Sequence, residues 1–139
     1  MVTMKPPSRV DEFRARAVAR TGDLFDPNCP TRLLLDRIGD KWTVLVVLLL
    51  SDGPKRFSQV RGDLGRVAPK VLAQTLRRME RDGLVTREVF AEVPPRVEYA
   101  LTDLGRSLIE PIAVLGDWAE VNVGQITAAQ AAYDGRQEA

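Results

Sequence analysis

Residues 68–101 constrain the fold of this chain more than any other stretch: they read APKVLAQTLRRMERDGL, VTREVF, AEVPPR and VEYAL in succession. At about 100° per residue, Leu72, Leu76, Met79 and Gly83 share one side of a helix. Lys70, Gln74, Arg77 and Arg81 share the other, with Arg78 flanking them. Pro69 suits the first turn, where its missing N–H has no intrahelical partner anyway. Gly83 suits the stop. Ala68, at the N-cap, offers no side-chain oxygen to the first amides. In the next two segments the period changes to two. Val85 and Val89 alternate with Thr86 and Glu88, and Val97, Tyr99 and Leu101 with Arg96, Glu98 and Ala100. That pattern predicts two half-buried strands. Their link, AEVPP, contains no glycine, so it cannot make a tight two-residue turn; it predicts a longer, proline-stiffened tip.

The segments before this unit supply the other helices. Residues 57–64 carry Phe57, Val60 and Leu64 at core spacing, and residues 65–68 form a turn into the basic helix. Residues 41–51 are apolar nearly all round, which predicts a buried helix capped by Asp40 and ended by Gly53 and Pro54. Residues 55–57 are a short extended piece. Residues 31–38 predict an amphipathic helix with Leu34, Leu35 and Ile38 inward. Residues 9–20 have helical composition, with Val10, Phe13 and Ala17 on one side, and residues 1–8 are expected to be disordered. The order helix, turn, helix, strand, wing, strand is that of a winged helix-turn-helix, mainly α with a small β-hairpin (α+β). After it, Thr102 is expected to cap one long helix kinked at Pro111, with Leu104, Leu108, Ile112, Leu115 and Ala119 in one stripe. Ile109 and Trp118 widen that stripe beyond what a small domain needs. A dimer seam is the expected use, making this a C-terminal dimerisation helix.

The chain of 139 residues has a net charge of only +1, so affinity for a polyanion has to come from a local patch. One exists: residues 55–81 hold eight cations against Asp63 and Glu80, whereas residues 102–139 hold six carboxylates and two arginines. A merely solubilising face mixes its signs. Gln74 among the cations adds a side chain that pairs bidentately with adenine, as Arg does with guanine, in the major groove. Double-stranded DNA is therefore the expected partner. Lys70, Gln74 and Arg77 are expected to read bases or adjacent phosphates, and Arg78, Arg81, Arg56 and Arg96 to neutralise phosphates. For Arg96 the alternative is an ion pair with Glu92 or Glu98.

Other classes fare worse. There is no histidine and only one cysteine, so the commonest general base, a resolving thiol and a zinc ligand set are all missing; no catalytic residue, metal or cofactor is expected. A winged helix used for protein–protein contact would favour acidic residues on the outer face of residues 69–82, and these are absent. Trp42, Trp118, Phe13 and Phe25 could line a small-ligand pocket at the dimer seam, but core and seam packing is their expected use. The first ten residues have no apolar leader segment, and the longest apolar run, residues 44–50, is far below the roughly 20 residues of a membrane span. A reducing, cytoplasmic setting is expected.

Several motifs occur in order: Cys29-Pro30, Gly39-x-Lys41-Trp42, Pro69-Lys70-x-Leu72, Asp82-Gly83-Leu84, Pro94-Pro95-x-Val97-x-Tyr99, Leu101-Thr102-x-x-Gly105 and then Trp118. Together they resemble the HxlR-type winged helix-turn-helix transcriptional regulators, which are MarR-like. The resemblance implies a small dimeric bacterial repressor or activator on a near-palindromic operator. It places the DNA-reading helix at residues 69–82 and the wing at 90–96. It implies a domain over 29–124, an N-terminal extension over 1–28 and a tail over 125–139. Where the family often has serine this chain has Ala68, so a hydroxyl cap is missing. Some relatives sense oxidants or electrophiles through a cysteine at the position of Cys29. Here Cys29 precedes Pro30, at an expected N-cap, where the helix dipole favours a thiolate. A redox switch by intersubunit disulfide or thiol adduct is one reading of Cys29; a plain helix start is the other.

Overall fold

The computed structural model describes residues 5, 6, 8–12 and 26–138. The chain divides into two compact units, Met1–Val44 and Leu45–Ala139.

In the first unit, residues 9–12 are helical. Ser8, expected in a disordered leader, is their cap. Its Oγ accepts the Asp11 amide at 3.1 Å, and Asp11 Oδ2 accepts the Ser8 amide at 3.0 Å. This is a reciprocal capping box built on Ser-x-x-Asp. The remainder of the helix expected to residue 20 lies outside the described residues, as do Phe13 and Phe25. Helix α1 spans Pro30–Ile38, with Cys29 at its N-cap and Pro30 in its first turn. Leu34 and Leu35 are not inward: both are exposed, with Leu33, and no residue of α1 is buried. An apolar stripe fixes which side of a helix seeks cover; it does not supply the cover. Helix α2, Lys41–Leu50, starts at Asp40, whose Oδ1 accepts the amides of Trp42 (2.9 Å) and Thr43 (3.3 Å).

The second unit holds the core. Val46, Val47, Leu50, Val60 and Leu72 have no exposed surface, and Leu76 and Met79 almost none. Burying each such side chain contributes about 1.5–3 kcal/mol. Strand β1 (Lys55–Arg56) leads directly into α3 (Phe57–Leu64), and α4 (Pro69–Arg81) follows the turn. Strands β2 (Val85–Phe90) and β3 (Arg96–Leu101) form the hairpin. The sheet has three strands rather than two, in the order β1-β3-β2, all antiparallel. Lys55 pairs with Tyr99 and Arg56 with Glu98 on one edge of β3. The fold is a winged helix-turn-helix with a long C-terminal helix.

That last helix departs from expectation. Thr102 caps only α5, Asp103–Arg106, accepting the Gly105 amide at 3.0 Å. A turn at Ser107 and Leu108 follows, and α6 runs over Ile109–Glu138. Pro111 therefore falls in the first turn of α6. A missing N–H costs nothing there, so its sequence position does not impose a kink. Of the expected stripe only Ile112 is buried; Leu104, Leu115 and Ala119 are exposed.

Candidate nucleic-acid interface

The helix-turn-helix is α3, the turn 65–68 and α4. Gly65 sits at φ +80°, a conformation in which glycine alone is unstrained. Val67 is buried and pins the turn to the core. Gln59 Oε1 accepts the Arg56 amide at 2.9 Å, which fixes the start of α3. Lys55 Nζ lies 3.1 Å from Asp63 Oδ2, so one of the cations counted in the patch is internally paired.

On α4 the two faces separate as the periodicity predicts. Leu72, Leu76 and Met79 are buried, and Lys70, Gln74, Arg77, Arg78 and Arg81 are all exposed. Thr75 is also buried and was missed; it lies three residues from Leu72 and four from Met79, and its hydroxyl donates to the Val71 carbonyl at 2.9 Å. No side chain caps the N-terminus at Ala68. The C-terminus closes with a Schellman motif. Leu84 N–H reaches the Met79 carbonyl at 2.8 Å, Gly83 N–H reaches that of Glu80 at 3.1 Å, and Gly83 adopts φ +76°.

The end of α4 is also the root of the wing. Thr102 Oγ donates to the Gly83 carbonyl, and Thr102 N–H donates to the Leu84 carbonyl at 3.0 Å. Gly105 lies so close that a Cβ there would stand 2.1 Å from Leu84 O. The basic helix and the returning strand are thus joined by hydrogen bonds and a side-chain-free contact at one point.

In the wing, Phe90 faces Arg96 on the last rung before the tip. Arg96 Nη2 is 3.4 Å from Glu92 Oε1, Nε is 3.5 Å from Glu98 Oε1, and the guanidinium carbon stands 4.1 Å from the Phe90 ring centroid. Both alternative ion-pair partners are therefore engaged at once. Arg56, on β1, is exposed and lies opposite Glu98. Three exposed arginines on these elements were not singled out from the sequence as ligands: Arg61 on α3, Arg66 in the turn and Arg87 on β2. Their signal was their place inside or beside the helix-turn-helix.

Cys29 is 4% exposed, and no side chain caps the helix it begins. Trp42 carries Lys41 Nζ 4.4 Å above its ring. Trp118 borders a shallow, open hollow on α6 with Asn122, Gln125, Ile126 and Ala129. Among the described residues, no group of three or more His, Cys, Asp or Glu side chains is placed to hold a metal, and no helix is long and apolar enough to cross a membrane.

Residues 37–127 match the family described as HxlR-like helix-turn-helix. The HTH-type transcriptional regulator YtfH of Escherichia coli (strain K12) is 41% identical over 109 residues, which cover 78% of this chain and 86% of that protein. The structure of the transcriptional regulator YtfH from Salmonella typhimurium matches with a TM-score of 0.73 and 42% identity, over 79% of this chain and 98% of its own. The redox regulator HypR in its reduced form matches with a TM-score of 0.66 and 37% identity, over 71% of this chain and 98% of its own. These relatives are regulators rather than enzymes. A basic helix joined to a wing and a match running from α1 into α6 agree on one conclusion: the chain belongs to the HxlR-like helix-turn-helix family of transcriptional regulators.

Proposed function

We propose that the protein is a cytoplasmic regulator that binds a near-palindromic operator as a homodimer, with release governed by oxidation or alkylation of Cys29. The observation that carries the DNA reading is the outer face of α4: four exposed cations and one exposed amide, with all the apolar side chains of that stripe buried behind them. Lys70, Gln74 and Arg77 enter the major groove and contact base edges or adjacent phosphates. Arg78, Arg81 and Arg56 neutralise phosphates. Arg96 stands beside the tip of the wing, on its last rung. Two α4 helices lie in successive major grooves about 34 Å apart. The DNA-reading domain is residues 29–124, preceded by the extension 1–28 and followed by the tail 125–139.

The dimer rests on α6. Between residues 113 and 137 no side chain of this helix is buried, although Val114, Leu115, Trp118, Val121, Val123, Ile126 and Tyr133 are apolar or aromatic. A run of exposed apolar side chains along one helix marks an interaction face, and a two-fold seam covers it. The thiol reading rests on the position of Cys29 at the start of α1 and on the likeness to a redox regulator.

The test is fluorescence anisotropy of the reduced protein on the DNA upstream of its own coding sequence, repeated after diamide. Tight, salt-sensitive binding lost with diamide supports the whole reading. Binding that diamide leaves unchanged keeps the regulator and moves the signal to a ligand at the seam, where Trp118 lies. Binding no tighter than to random DNA, with no site found by a genome-wide search, removes the operator.

A further inference from the structure

We propose that Arg96 is a positioning residue of the wing and not a phosphate ligand, so that the wing meets DNA through a cation-free, apolar tip. This rests on the DNA-binding reading above. The guanidinium is held on three sides, by Glu92, by Glu98 and by the face of Phe90. Its side chain is 29% exposed, and its Nε is buried at ion-pair distance from Glu98 without a hydrogen bond.

Swinging Arg96 out to a phosphate would strip both carboxylates of their cation just where DNA comes near. The register makes this worse, because Glu88 lies directly opposite Glu98 across β2 and β3. Like charges in that arrangement repel. Arg56, on the other side of Glu98, is the second cation on this face of the sheet. The face therefore holds Arg56 and Arg96 against Glu88, Glu92 and Glu98, and it tolerates the approach of a polyanion only while Arg96 stays in place.

The tip beyond it offers no replacement charge. Residues 91–95 are Ala, Glu, Val, Pro and Pro, and Val93 is fully exposed. With Glu92 neutralised from behind, the forward surface is Val93, Pro94 and Pro95. Such a surface fits the apolar sugar walls of a minor groove.

The probe is a duplex that the wild-type protein itself enriches from a random 30-base-pair pool, with binding followed by anisotropy between about 50 and 200 mM salt. Three variants are compared: R96Q, R96K and the triple R96Q/E92Q/E98Q, each checked by thermal unfolding. R96Q is expected to weaken binding roughly tenfold or more, because uncompensated carboxylates now face DNA. R96K is expected to be nearly as weak, since an ammonium cannot span two carboxylates and stack on Phe90. The triple is expected to recover to within about threefold of wild type with an unchanged salt slope, since no cation–phosphate contact has been lost. A triple as weak as R96Q, with both slopes shallower by about 0.9 per protomer, overturns the proposal, because that is the signature of a lost phosphate contact. So does an R96K that binds like wild type. If the wild type enriches no duplex and shows no salt-sensitive binding, the DNA reading itself falls and this inference with it.

Discussion

Substituting Gly105 by alanine tests whether the joint between helix and wing is as tight as its geometry says. A Cβ at this position would stand 2.1 Å from Leu84 O and 3.1 Å from both Leu101 Cδ2 and the Leu84 carbonyl carbon. The first contact is impossible, so backbone has to move. Overpacking of this kind costs about 1–3 kcal/mol. The movement also loosens the bond from Thr102 N–H to Leu84 O, worth about 0.5–1.5 kcal/mol. Against this, alanine in a helix gains about 1 kcal/mol over glycine. The net loss is about 0.5–3.5 kcal/mol. At an m-value of about 2 kcal/mol/M, urea unfolding at fixed protein concentration should show a midpoint lowered by about 0.25–1.75 M. Gly62 is the control. It lies inside α3 with nothing within 4 Å of its would-be Cβ. The same substitution there should stabilise by about 0.5–1 kcal/mol. If Gly105→Ala and Gly62→Ala shift the midpoint in the same direction, the argument from the Leu84 contact is wrong.

Three further outcomes are expected. Gln74→Ala should cost about 1–3 kcal/mol at a single base position, measured against a panel of single-base operator variants; an equal loss on every duplex would show that Gln74 reads no base. Trp118→Glu, at a side chain 59% exposed in the single chain, should convert the dimer to monomer in sedimentation velocity at micromolar concentration, and an undisturbed dimer would place the seam elsewhere. Cys29→Ser should bind DNA like the reduced wild type and ignore diamide; a wild type that also ignores diamide removes the thiol switch.

What could be read from the sequence was what repeats. The faces of α4 and the strands β2 and β3 emerge from periods of 3.6 and 2 over 13 and six residues. The faces of α4 match the structure and both strands form, but burial does not alternate along them, since only Val85 and Leu101 are buried and Val89 is exposed. Strand β1 is two residues long, too short to show a period, so the third strand became visible only through its pairing with Tyr99 and Glu98. Thr75 carries no apolar signal in the sequence, because its side chain bears a hydroxyl. Inside a helix its hydroxyl can turn back to the Val71 carbonyl and present its methyl to the core.

The errors share a different cause: a pattern in one dimension does not say what lies across from it. Leu104, Leu108 and Ile112 continue at i, i+4 spacing straight through a break, because the turn at Ser107 and Leu108 leaves the spacing intact while the chain changes course. The break follows the contact at Gly105, where α5 is held against Leu84, a residue more than 20 positions away. Leu34 and Leu35 obeyed their stripe and still ended exposed. Arg96 shows the same limit from the other side. Its neighbours at i−4 and i+2, Glu92 and Glu98, were readable as alternatives, but Phe90 comes beneath it only through the hairpin register. It is the ring that turns a choice between two ion pairs into a single geometry engaging both, and that geometry is what withdraws the guanidinium from the forward surface of the wing.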